Sequence, residues 1–231
     1  MRADQIPDGV LPQRRALYYG GAWHEPQAGV YADTINPAYN EPIAKAPVAD
    51  ARDVDAAVRA AQDAFPAWAA TPPLQRARLL HQAAAVLREH AHSLALLDSL
   101  NNGNPVSILA KDADFAADGI DYFAGLATEV KGETLPMGNG NLNYSVREPL
   151  GVVARIVAYN HPLMFAALRI AAPLAAGNTV VVKSPDQAPL SIIRLAELIG
   201  SIFPKGVVNF LCGGRECGEA LAVHPLVRKI T

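Results

Sequence analysis

From position 50 the apolar residues fall in a helical rhythm. Val54, Ala57, Val58, Ala61 and Phe65 recur at three- and four-residue spacing behind Asp50, a good N-cap. Pro66 is expected to disfavour regular continuation of that helix. A second helix is predicted to open at Pro72 and Pro73 and run through Leu80, Ala84 and Leu87 towards His90. A third covers 93–100, closed by Asn101, Asn102 and Gly103, which tolerate left-handed geometry. Residues 105–131 read as one longer helix, weakened by Gly119 and Gly125. Upstream, Tyr18, Tyr19 and Trp23 interleave with Gly20, Gly21 and Pro26, a pattern of short edge strands joined by turns.

The texture changes at Gly132. Gly138, Asn139, Gly140 and Asn141 separate two extended runs within 135–147, which predicts a protruding β-hairpin. Strands are then expected at 151–158, 179–183 and 207–211, with another beginning at 229–231. Helices are expected at 162–176, 189–201 and 214–222. Alternating strand and helix imply an α/β fold with a doubly wound, Rossmann-like parallel sheet. The expected organisation is N-terminal edge strands and helices over 1–132, the hairpin over 133–150, and a parallel βαβ region over 151–231.

Composition narrows the function class. Twenty Lys and Arg oppose twenty-two Asp and Glu, a net charge of −2, so no field would gather a nucleic acid. The apolar content, 51%, excludes disorder. Residues 1–19 have no apolar core of a secretory signal, and 163–177 is interrupted by Arg169 and Pro173 and is too short to span a bilayer. Cys212 and Cys217 are too close together and too late for a disulfide framework, so a reducing, cytoplasmic setting is expected. No metal ligands, nucleic-acid partner or membrane partner are expected.

In an open parallel sheet, ligands bind outside the carboxyl ends of the strands. Three loops leave such ends here: Tyr159, Asn160 and His161; residues 183–188; and residues 212–215. Lys183 and Asp186 form the pair of greatest interest, since an ammonium and a carboxylate three residues apart suit a ribose diol. A surface ion pair at a strand-to-helix turn is the competing reading. Gly213, Gly214 and Gly218 permit close backbone approach, but no G-x-G-x-x-G follows the first strand, so the glycines alone are a weak signal.

Together these segments resemble the aldehyde dehydrogenase superfamily. The resemblance rests on the run from Arg147, Glu148, Pro149 and Leu150 into Gly151, Val152 and Val153, on Tyr159, Asn160, His161, Pro162 and Leu163, and on 175–183. Asn36, Pro37 and Ala38 add to it, with the 65–68 and 76–80 stretches, Gly206 to Asn209, and His224 and Pro225. It is collinear over 21–231. It implies oxidation of an aldehyde to a carboxylic acid with a nicotinamide cofactor, through a cysteine thiohemiacetal and a thioester.

By that resemblance Asn160 is the catalytic side-chain donor that stabilises the oxyanion, the competing reading being a cap on the helix at Pro162. Ile156, Ala158 and Tyr159 line the cofactor groove, Lys183 and Asp186 hold the adenosine ribose, and Gly214 belongs to the adenine-side turn. A carboxylate at 186 would repel a 2′-phosphate, favouring NAD over NADP. His161 replaces a frequent Phe and reads as a pocket-wall or solvent-facing residue. Cys212 and Cys217 are not nucleophiles, because the family's cysteine and glutamate lie beyond Thr231. The resemblance therefore implies an N-terminal half that is inactive alone, and a homodimer or homotetramer when full length. The alternatives are half of a coenzyme A-acylating semialdehyde dehydrogenase and a non-catalytic interaction fragment. Strand 207–211 is expected to lack the neighbour that the family sets beside it.

Overall fold

The computed structural model describes residues 1–231, the side chain of residue 3 apart. Its centre is a six-stranded sheet. Four parallel strands, β7 (Val152–Ile156), β8 (Thr179–Lys183), β9 (Val208–Leu211) and β10 (Val227–Ile230), are joined by two antiparallel ones, β1 (Leu17–Tyr19) and β2 (Ala22–His24). The order β10-β7-β8-β9-β1-β2 corrects one expectation. Strand β9 is not left without a neighbour, because β1 returns from the N-terminus and pairs with it through Tyr18 and Phe210. The open edges are β10 and β2. Strand β10 pairs with β7 in parallel, in keeping with the strand expected to begin at 229–231.

Alternation along the wholly buried β8 shows that both faces of the sheet are covered. Val180 and Val182 enter one core with α2 (Pro73–Glu89), α5 (Asp112–Gly125) and α6 (Pro162–Ala175), while Val181 enters the other with α1 (Ala51–Ala70) and α8 (Arg215–Val223). Helix α7 (Leu190–Ile199) contributes to both, through Ile192 and Leu195 on one side and Leu190 and Ile193 on the other. No helix among the described residues is long and apolar enough to cross a membrane.

Two local expectations need correction. Helix α1 continues through Pro66, with a full capping box between Asp50 and Asp53 at its start. Pro66 is exposed, so the carbonyl that it leaves unbonded at Gln62 is on the wet side, and buried Ala61 and Trp68 hold the two halves to the core. Residues 105–131 are not one helix: a single turn, α4 (Val106–Leu109), ends before α5 begins at Asp112. A Cβ at Gly119 would stand 2.0 Å from Leu168 Cδ1, so the glycine lets α5 and α6 pack closely. The hairpin forms as β5 (Thr134–Pro136) and β6 (Leu142–Tyr144), around Gly138 and Gly140 at positive φ. A second two-stranded hairpin, β3 (Tyr31–Asn36) with β4 (Glu41–Pro47), was not foreseen.

Candidate active site

The parallel register brings the three candidate loops level. Ile156 stands opposite Lys183, and Lys183 opposite Leu211, so the chain leaves β7, β8 and β9 at one height. Backbone bonds carry the alignment past the strand ends, from the Val157 amide to the Lys183 carbonyl (3.0 Å) and from the Ser184 amide to the Leu211 carbonyl (2.9 Å). Ala158, Tyr159 and Asn160 are exposed on the first loop, with Ile156 half-buried behind them.

Lys183 is only 6% exposed, and no carboxylate pairs with it among the described residues. Asp186 is exposed. The surface ion pair is therefore excluded. The Lys183 stem passes Gly218 of α8, where an added Cβ would be 4.0 Å from its Cε, and Asp186 Oδ2 lies 3.6 Å from the Cβ position of Gly214. The Lys183 stem thus lies against helix α8, and the open Asp186 carboxylate lies beside the turn that leads into that helix. A cleft of about 390 Å³ joins Tyr159 to Asp186, with Asn101 and Asn102 on its wall. A cavity of about 440 Å³ lies elsewhere, at the β10–β7 edge beside Arg155, Arg169 and Lys229, and no residue of the three loops lines it.

The Asn160 side chain does not cap α6, because His161 is the N-cap residue and no side chain makes a cap bond from that position. Among the described residues the Asn160 carboxamide has no hydrogen-bond partner, while the Asn160 carbonyl accepts from Asn102 and Asn104. His161 is not a simple wall or a solvent-facing ring. Its Nδ1 lies 2.7 Å from Oδ2 of the buried Asp112, and its ring meets Phe165 edge-on at 6.0 Å. Both thiols are buried, and burial pushes Cys212 up to about 11 and Cys217 up to about 12, against the pull of the Lys183 ammonium. Neither is poised as a nucleophile.

Sequence reasoning missed α3 (Ala91–Asn102) as the organiser of the site. Asp98 Oδ2 accepts the Leu163 amide at 3.2 Å, at the start of α6, and Asn101 Oδ1 accepts the Leu190 amide at 3.1 Å, at the start of α7. The available signal was polarity on the wrong face, since Asp98 and Asn101 share the buried stripe of Leu94, Leu97 and Leu100.

The sequence profile of the aldehyde dehydrogenase family matches residues 23–231. Aldehyde dehydrogenase tropH of Talaromyces stipitatus is 51% identical over 225 residues, covering 96% of this chain and 44% of that protein. The crystal structure of PnpE from Pseudomonas sp. WBC-3 superposes with a TM-score of 0.91 at 42% identity over 94% of this chain and 45% of PnpE, and PnpE has also been solved in complex with nicotinamide adenine dinucleotide. An NADP-dependent enzyme of E. coli gives a TM-score of 0.92 at 31% identity, over 97% of this chain and 47% of its own. The chain thus spans about half the length of the relatives it matches. A sheet whose strand ends meet in this way, and a family profile collinear with nearly all of it, lead to one conclusion: the chain belongs to the aldehyde dehydrogenase family.

Proposed function

We propose that this chain is the N-terminal half of an NAD-dependent aldehyde dehydrogenase, supplying the adenosine side of the cofactor site and the side-chain donor of the oxyanion site. The observation that carries the reading is the common height of β7, β8 and β9, which gathers Asn160, Lys183, Asp186 and Gly214 at one edge of the sheet. The residues present fit a dinucleotide. The Lys183 ammonium has no protein partner and suits a ribose hydroxyl, Asp186 is open to accept from a diol, and Gly214 leaves room for close backbone approach. When bound, the nicotinamide supplies the hydride acceptor of the oxidation.

Within this division of labour the chain's own residues bind and orient. Asn160 offers a neutral amide N–H to the aldehyde oxygen as negative charge develops there, a stabilisation that does not compete with later collapse of the tetrahedral centre. The cysteine nucleophile and glutamate base belong to the other half of the enzyme, so the chain alone is expected to oxidise no aldehyde. Asp186 favours NAD by opposing a 2′-phosphate. The β5–β6 hairpin, with Leu142 and Tyr144 largely exposed, suits self-association into a homodimer or homotetramer in the cytoplasm.

Asn160→Ala in the full-length enzyme tests the reading. Turnover should fall by roughly 10²–10³-fold, the scale of one oxyanion donor, with little change in NAD affinity. Turnover within about threefold of the parent would remove Asn160 from the chemistry.

A further inference from the structure

The turn that ends α3 grips the backbone of the loop that carries Asn160. Gly103 closes the helix at φ 83°, and a Cβ there would stand 2.8 Å from Pro37 Cγ, so the reversal needs glycine on two counts. The reversal folds Asn104 back onto Asn102, whose Oδ1 accepts the Asn104 amide at 2.8 Å. That bond decides which end of the Asn102 carboxamide faces the loop. Asn102 Nδ2 donates to the Asn160 carbonyl at 3.1 Å and to the Tyr159 carbonyl at 3.4 Å. Asn104 Nδ2 donates to the same Asn160 carbonyl at 2.7 Å. One carbonyl oxygen therefore takes two side-chain donors, which fills both of its lone pairs.

The next residue is held as well, by the contact between His161 Nδ1 and Asp112 Oδ2 at 2.7 Å. The Asn160 carboxamide, in contrast, is exposed and spends neither N–H on the protein among the described residues. A clamped backbone beneath an unspent side-chain donor is the arrangement that pre-organised stabilisation of charge requires. A polar turn with no such duty has no need of two carboxamides on one exposed carbonyl, since water would serve it.

We propose that Asn102 and Asn104 are positioning residues for Asn160, clamping its carbonyl so that its side-chain amide stays aimed at the aldehyde oxygen. The proposal rests on the reading of Asn160 as the oxyanion donor. Neither carboxamide touches substrate; both act through the 159–160 backbone.

Two variants of the full-length enzyme isolate the effect. Asn102→Ser keeps a neutral oxygen that can accept the Asn104 amide and removes the Nδ2 donor, and Asn104→Ala removes the second donor. Each should lower kcat about tenfold while the aldehyde KM and NAD Kd stay within about twofold, the signature of lost orientation. Combined with Asn160→Ala, neither should lower turnover further, because the group they orient is gone. Should Asn104→Ala fail to fold in a thermal melt, Asn104→Leu removes the donor at similar size and without a charge. Full additivity with Asn160→Ala would overturn the proposal, and so would unchanged kcat in both single variants alongside a disabled Asn160→Ala. A nearly active Asn160→Ala enzyme would instead overturn the reading on which it rests.

Discussion

The Asp98 carboxylate and the Leu163 amide meet at 3.2 Å across 65 residues of chain. This contact joins the middle of α3 to the first turn of α6, directly after the loop of Asn160. Asp98 is 1% exposed, and the side chains around it include Asp112, His161 and Ser191 from three other elements. Burial raises it from 3.8 to about 7, against the opposing influence of the Ser191 hydroxyl, the Leu163 amide and His161.

A pH dependence of stability follows. Folding favours the protonated form of Asp98, so its contribution is complete below about pH 4, declines as pH rises, and is lost once pH passes about 7. The decline amounts to about 4 kcal/mol at most. Asp98→Asn stays neutral and keeps an acceptor for the Leu163 amide. Its Tm should therefore gain on the parent's as pH rises from 5 to 8, and parallel melting profiles would contradict the assignment.

The cysteines should be inert in the native chain. With Cys212 near 11 and Cys217 near 12, almost no thiolate exists at neutral pH, and both side chains are covered. A disulfide reagent added at pH 7.5 should label neither thiol promptly and both in denaturant. A fast native phase would show that the turn after β9 opens.

Gly206 should tolerate substitution far less than Gly138. Both have positive φ, 80° and 85°, but a Cβ at 206 would lie 2.5 Å from the Ala60 carbonyl oxygen, whereas nothing lies within 4 Å at 138. Gly206→Ala should cost about 3 kcal/mol or more, and Gly138→Ala about 1 kcal/mol, the backbone strain alone. Urea unfolding of the two variants measures the difference, and equal losses would refute the steric argument.

Cofactor discrimination should change at Asp186. On the proposed reading, Asp186→Ser in the full-length enzyme removes the carboxylate proposed to oppose a 2′-phosphate, and kcat/KM with NADP relative to NAD should rise about tenfold or more. An unchanged ratio would mean that Asp186 does not face the ribose.

Strand β8 was legible because the apolar run 180–182, with Gly177 and Asn178 before it and Lys183 after, has no other stable use in an α/β chain. The same regularity places Asn160, Lys183, Asp186 and Gly214 in the loops that follow strand ends. Helix α1 defeated the reading at Pro66, since a proline's cost depends on whether the freed carbonyl finds water, and that depends on the face it occupies. The break between α4 and α5 was hidden for a similar reason. Asp112 starts a helix there with its carboxylate turned to His161, 49 positions away.

Periodicity, caps and breakers determined the helices, the parallel strands and the family resemblance, because these record sterics and burial within a few residues. Tertiary structure alone decided that β1 closes the side of β9, that Lys183 is sheltered without a carboxylate, and that Asp98, Asn101 and Asn102 of α3, with Asn104 of the turn after it, serve three separate segments. A buried or half-buried polar group pairs with whatever packing brings within about 3 Å, and sequence spacing carries no record of that distance.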